Sequence, residues 1–181
     1  MQEDSNSAVM GRALRLLPMI VVMITIFIFS MAPAEKSAST SGGILAAIVD
    51  CLEKITHTTL SPETVDILHT LIRKCAHITE YAILGATVVF AYQPEITDFV
   101  HKKTNRSKSP LFIIIPLVIC ALYSASDETH QLFVPGRSGE VLDVLIDSCG
   151  SLVGILIMNH IYGRREKRAG KENDSEMQSM S

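Results

Sequence analysis

Tryptophan is absent from this chain, so membrane-spanning segments have to be placed on hydropathy and charge alone. Cysteine is sparse: Cys51, Cys75, Cys120 and Cys149 stand singly. They form no CxxC and show no metal-ligand spacing. No disulfide framework is read either, because small thiols in or beside apolar segments are ordinary; only a Cys51–Cys75 pair is left open. No internal repeat is present, which removes solenoid architectures. Charge of one sign is not in excess either, and the net charge of −3 says little about partners because the asymmetry runs along the chain. Nucleic acid is not among the expected partners.

Apolar residues are what the chain has in quantity. Hydrophobic residues make up 48% of the 181 and the mean hydropathy is +0.29. A hydrocarbon core of about 30 Å takes roughly 20 predominantly apolar residues per helix. Four stretches meet this, at about 14–34, 75–93, 111–126 and 140–162, the third extending as helix toward Phe133. The second and fourth carry ionisable residues, which lowers their plain hydropathy. The expected fold is therefore all-α: a polytopic membrane bundle of about four transmembrane helices occupying 14–162. The flanking stretches 1–13 and 163–181 read as polar cytoplasmic tails without regular structure.

Basic residues set the sidedness. With four spans, both termini and the 94–110 loop share one side. That side collects Arg12, Arg15, Lys102, Lys103, Arg106, Lys108, Arg164, Arg165, Lys167, Arg168 and Lys171. The other side has only Lys36, Lys54, Arg73, Lys74 and Arg137. The expectation is a multi-pass protein of the bacterial cell membrane with both termini cytoplasmic. Ala32-Pro33-Ala34 after the first apolar run has the small residues of a signal-peptidase site, but the run exceeds an ordinary signal h-region, so a retained anchor is read.

Between the first two spans, 35–42 (EKSASTSG) reads as a flexible turn. Ile44, Ile48, Leu52 and Ile55 then recur at helical spacing over 43–56, which predicts a short amphipathic helix at the extracytoplasmic surface or on the mouth of the bundle. Ser61-Pro62-Glu63 is a helix start, with Ser at the N-cap, Pro at the first position and an acid in the first turn. One long helix should run from there to Gln93-Pro94. The basic loop 101–110 suits contact with anionic headgroups. Pro116 is placed to kink the third span, and Ser138, in the turn 134–139, to cap the fourth helix. Gly150 and Gly154 form a small-xxx-small pair that permits close helix approach.

The ionisable residues of the spans gather at one end. Arg73, His77, Glu80 and Leu84 recur along one helical face, flanked by Lys74 and Tyr81. Asp127, Glu128 and Gln131 form a polar face at the end of the third apolar run. Asp143 and Asp147, at i and i+4, share one side of the fourth helix, and Arg137 lies in the turn between. Charges at this depth are costly unless paired or hydrated, and they tend to mark function. The competing reading is a purely cohesive network in which Arg73, Lys74, His77 and Arg137 neutralise the acids. Cohesion alone is available from small residues and Ser/Thr at lower cost, which favours a ligand site for the group.

Two motifs carry a family resemblance. The run S-x-x-D-E-x-x-Q-x-F-x-P-G-R-x-x-x-x-x-D-x-x-x-(N/D)-x-x-G is met by Ser124, Asp127, Glu128, Gln131, Phe133, Pro135, Gly136, Arg137, Asp143, Asp147 and Gly150. Upstream, K-x-x-H-x-x-x-Y-x-x-L is met by Lys74, His77, Tyr81 and Leu84. The chain resembles the VanZ-like family, named for a teicoplanin-resistance protein. The resemblance implies an integral membrane protein and, for the namesake, reduced susceptibility to teicoplanin; it supplies no reaction. Asp147 stands where Asn is expected in many relatives.

Two classes of function are expected from these residues. One is an enzyme acting on a lipid or wall precursor at the outer leaflet. In it Asp127 or Glu128 is the base, His77 its partner or general acid, and Asp143 a further carboxylate. Arg73 or Arg137 holds a phosphate or carboxylate. Lys74, Glu80, Tyr81, Gln131 and Asp147 complete the substrate contacts. A divalent cation held by Asp127, Glu128, Asp143 and Asp147 is the cofactor variant; His77-x-x-Glu80 and Asp127-x-x-His130 also pair two ligand types on one face, without specific spacing. The other class is a non-catalytic protein that binds or shields a precursor headgroup or a lipoglycopeptide. Membrane lipids, a lipid-linked envelope precursor and a teicoplanin-type antibiotic are the expected partners, with oligomerisation left open. A transporter is disfavoured, since the polar groups cluster at one end rather than at the midplane.

Overall fold

The structure, a computed structural model, describes residues 2–31, 34–104, 109–135, 137 and 139–179. Among the described residues all regular structure is α-helical, in five helices: α1 (Gln2–Ser30), α2 (Ala34–Thr56), α3 (Pro62–Thr104), α4 (Leu111–Gln131) and α5 (Val141–Ser179). Four helical stretches are long and apolar enough to cross a membrane: Met10–Ser30, Pro62–Phe99, Leu111–Gln131 and Val141–Arg165. At 1.5 Å per residue the 21 residues of the first cover about 30 Å, one hydrocarbon thickness. The all-α polytopic architecture expected from hydropathy is the one observed.

Several boundaries differ from those the composition suggests. The Ser-rich stretch 35–42 is not a turn but the first turns of α2; once Ile44–Ile55 fix a helix, adding residues upstream carries no further nucleation cost. The same reasoning covers α1 from Gln2 and α5 to Ser179, which run through polar sequence, that of α5 rich in Glu, Lys and Arg. Pro94 does not end α3. It lies inside the helix, which continues to Thr104, because tertiary contacts on its far side hold the helix together. Ile96 is buried, Thr97 Oγ1 donates to the Gln93 carbonyl at 2.8 Å, and Glu95 Oε1 accepts from Arg12 Nε at 3.1 Å with Arg15 Nη2 at 3.8 Å.

The start of α3 follows the sequence. Ser61 Oγ accepts from the Thr64 amide at 3.3 Å, and the Ser61 carbonyl accepts from the Val65 amide. The preceding corner is made by His57, which takes φ 53° just after the last residue of α2, the left-handed position that commonly closes a helix. Glu53 ties that corner, accepting from the Leu60 amide at 2.8 Å. Ala32, Pro33, 105–108, Gly136 and Ser138 lie outside the described residues, and with them most of the small-residue site, part of the basic loop and the Ser138 cap.

α3 is the hub and packs on each of the other four helices, most extensively on α5. α3 and α5 run parallel, and their contact is backbone on backbone. A Cβ at Gly150 would stand 2.6 Å from the Ile78 carbonyl oxygen, and one at Gly154 would run into the Ala82 carbonyl. The close approach expected of Gly150 and Gly154 is thus present, and Gly85 of α3 joins it against the Ser151 carbonyl. Above this seam a compact core of Met19, Ile26, Tyr81, Leu84, Val88, Ala91 and Cys120 joins α1, α3 and α4. The outward faces keep Ile24, Phe29, Ile83, Leu122, Leu145 and Val153 exposed, as lipid-facing residues should be. All four cysteines are free, so Cys51 and Cys75 are not paired.

Candidate functional site

The ends of α1 and α4, the beginning of α5 and the first half of α3 converge at the α2 end of the bundle. Asp127, on the last turns of α4, is 2% exposed and sits at the centre of this convergence. Its Oδ2 accepts from Ser30 Oγ at 2.7 Å, the last residue of α1, and from Gln131 Nε2 at 3.2 Å one turn on. Gln131 Nε2 also reaches Ser30 Oγ at 3.4 Å. The second oxygen, Oδ1, is buried and has no hydrogen-bond partner among the described residues.

Asp147 anchors a second network. At 1% exposure its Oδ2 accepts from Ser124 Oγ of α4 at 2.8 Å, and its Oδ1 stands 3.9 Å from His77 Nδ1 of α3. Asp143, one turn earlier on α5, forms an ion pair with Lys74 of α3. The parallel run of α3 and α5 explains both pairings: Lys74 with Asp143 and His77 with Asp147 are successive contacts along one seam. Tyr81, the next site residue on α3, is fully buried against Tyr123, and its hydroxyl makes no hydrogen bond among the described residues.

Glu128 is committed to the scaffold. Its Oε2 accepts from the Glu140 amide at 3.0 Å, so the acid closes the turn into α5 by meeting backbone donors at a helix start. Gly139 makes the approach sterically feasible, since a Cβ there would lie 2.5 Å from the Glu128 carbonyl oxygen. Arg137 Nη2 donates to the Phe29 carbonyl at 3.1 Å, tying the turn to α1. Burial lowers the Arg137 guanidinium from its ordinary value; neighbouring Arg73 adds to this, and Asp127, Glu128 and Glu80 oppose it.

Every residue singled out by spacing therefore falls in one region. Arg73 is exposed at its rim, and Glu80 is half-buried, within electrostatic reach of Asp127 and Arg137 but without a hydrogen bond among the described residues. Among the described residues no group of three or more His, Cys, Asp or Glu gathers as a metal-ligand set. Two contributors were not singled out from sequence. Ser30 is a lone hydroxyl closing an apolar run, the kind of group that seeks a partner inside a bundle. Ser124 lies in the motif but carried no assigned contact; as the Asp147 donor it is fully buried.

The decisive comparison covers these same elements. A family model described as VanZ/LLP1 matches residues 15–162, from the first span through the fourth. The chain belongs to the VanZ/LLP1 family. No curated protein and no solved structure matches it. Membership extends over all four membrane-crossing helices and both polar networks, so the buried Asp127 and Asp147 of this VanZ/LLP1 protein sit within the family domain rather than in an appendage.

Proposed function

We propose that this VanZ/LLP1 protein lies in the bacterial cell membrane with both termini cytoplasmic. In that orientation its polar site faces outward and recognises a lipid-borne envelope molecule: an envelope lipid, a lipid-linked wall precursor or a lipoglycopeptide of the teicoplanin type. The observation that carries the reading is Asp127 Oδ1, held buried where the helices converge and without a hydrogen-bond partner among the described residues. A carboxylate oxygen kept from water without a donor is costly, and such groups are retained where an absent partner supplies the donor. Glu128, Asp143 and Asp147 are already met by the Glu140 amide, Lys74 and Ser124. Recognition through Asp127, Glu80 and the arginines is therefore favoured over catalysis by a group of free carboxylates. Sidedness rests on the basic residues flanking the spans.

Acid–base chemistry is the second reading, and His77 beside Asp147 is what favours it, because a carboxylate behind an imidazole orients it for proton transfer. Turnover distinguishes the two. A sensitive Gram-positive host expressing wild type or Asp127→Asn at matched membrane levels is tested for teicoplanin and vancomycin susceptibility, and its envelope lipids and precursors are profiled by mass spectrometry. Recognition predicts stoichiometric, Asp127-dependent protection against the lipid-bearing antibiotic with an unchanged lipid profile. A new product that vanishes in Asp127→Asn would instead establish catalysis. Absence of protection together with an unchanged profile would direct the function to normal envelope biogenesis, without a resistance role.

A further inference from the structure

The reading above leaves the ligand's headgroup unspecified, and the charges around Asp127 narrow it. The cluster sets Glu80, Asp127, Glu128, Asp143 and Asp147 against Arg73, Lys74 and Arg137, so acidic side chains outnumber basic ones. A wholly anionic ligand would add to that excess. A group bearing N–H donors and positive charge would reduce it and would satisfy Asp127 Oδ1, a buried carboxylate oxygen without a donor among the described residues. Glu80 is half-buried, within the field of Asp127, and has no hydrogen bond of its own among the described residues.

At the rim the sign reverses. Arg73 is exposed one turn before His77, and Arg137 lies within reach of its charge. An exposed guanidinium at the mouth of a site is a ready partner for an anion. Lys74, the neighbouring base, is already paired with Asp143 and does not compete for it. The helix faces flanking this mouth are apolar, with Ile78, Leu142 and Leu145 exposed. Acyl chains can thus stay in the bilayer while the headgroup reaches inward.

We propose that the site takes a zwitterionic aminophospholipid headgroup, with the primary ammonium donating to Asp127 Oδ1 and Glu80 and the phosphate meeting Arg73 in the field of Arg137. The proposal rests on the site being a recognition site for a lipid-borne molecule and specifies what it recognises. A primary ammonium is required because the carboxylates accept N–H hydrogen bonds, which a quaternary ammonium cannot donate. The same chemistry exists in water-soluble phosphoethanolamine esters, but the apolar flanks favour the lipid form.

The test uses the full chain, purified and mildly delipidated, with lipid retention read by native mass spectrometry. Phosphatidylethanolamine, phosphatidylcholine and phosphatidylglycerol of identical acyl chains are offered in equal amounts, and glycerophosphoethanolamine is offered alone. Phosphatidylethanolamine should be retained preferentially, and Glu80→Gln and Arg73→Gln should each weaken retention roughly tenfold, the effect of losing one charge-assisted hydrogen bond. Arg73 is exposed and Glu80 half-buried without a hydrogen bond among the described residues, so these variants should fold; thermal unfolding checks this, and Asp127→Asn gives the buried counterpart. Equal retention of all three lipids, sensitive to the same substitutions, would overturn the headgroup assignment and leave the lipid site standing. Retention insensitive to every substitution would overturn both. Binding of glycerophosphoethanolamine as tightly as the lipid would overturn the assignment of the lipid as the source.

Discussion

Asp127 and Asp147 look alike in sequence, each an acid among apolar residues, yet their surroundings differ. Asp147 has a hydroxyl donor on one oxygen and an imidazole near the other, whereas Asp127 is fully supplied on one side only. Spacing could find both acids because they fall on predictable helix faces. It could not find Ser30, whose role depends on where α1 ends relative to α4, a distance of 97 residues along the chain. Ser30→Ala should therefore destabilise the protein by about 1–3 kcal/mol, because it strips a donor from a buried carboxylate. Chemical denaturation of the purified protein in mixed micelles measures this, and a loss well under that range would mean water replaces the hydroxyl. At the α2–α3 corner the change runs the other way. His57 takes a left-handed φ that costs a side-chain-bearing residue about 1–2 kcal/mol, so His57→Gly should be neutral or mildly stabilising in the same assay.

Helix existence was legible throughout, and helix ends were not. Periodicity and apolar run length placed every spanning helix, and Ser61-Pro62 marked one start correctly. Pro94 misled, because a local rule about proline was overridden by the ionic contact of Glu95 with Arg12 and Arg15 and by burial of Ile96, both contributed by distant residues. The seam between α3 and α5 was half visible: Gly150 and Gly154 announce a close approach, but the partner surface at Gly85, Ala82 and Ile78 can be read only once the two helices are seen to run parallel. Gly154→Val should cost more than the roughly 1–3 kcal/mol of ordinary overpacking, because the obstacle is a backbone carbonyl rather than a movable side chain. The same substitution should weaken the alignment of Lys74 with Asp143. Gly163→Ala is the contrasting case: nothing lies within 4 Å of its added Cβ, and the helix there should gain about 0.5–1 kcal/mol. Thermal melts of both variants, run in parallel, check the contrast; equal effects would mean that the seam is not tight in the membrane.

For the whole molecule, sidedness makes the sharpest expectation. Cys51 on α2 is exposed, and with both termini cytoplasmic it should react with a membrane-impermeant maleimide on intact cells. A Ser175→Cys substitution in a background with Cys51, Cys75 and Cys149 replaced by Ser should react only after permeabilisation. The reverse pattern would invert the orientation and place the polar site inside the cell. The architecture also has a mechanical side. α3 is one unbroken rod of 43 residues, about 65 Å long, roughly twice the hydrocarbon thickness. It bears His77 and Glu80 toward one membrane surface and Glu95, gripped by Arg12 and Arg15, toward the other. A twist of that rod cannot be confined to one leaflet. The Glu80 end and the arginine grip thus belong to one helix, with Pro94 between them, so the two sides of the membrane are joined by a strut as well as separated by a barrier.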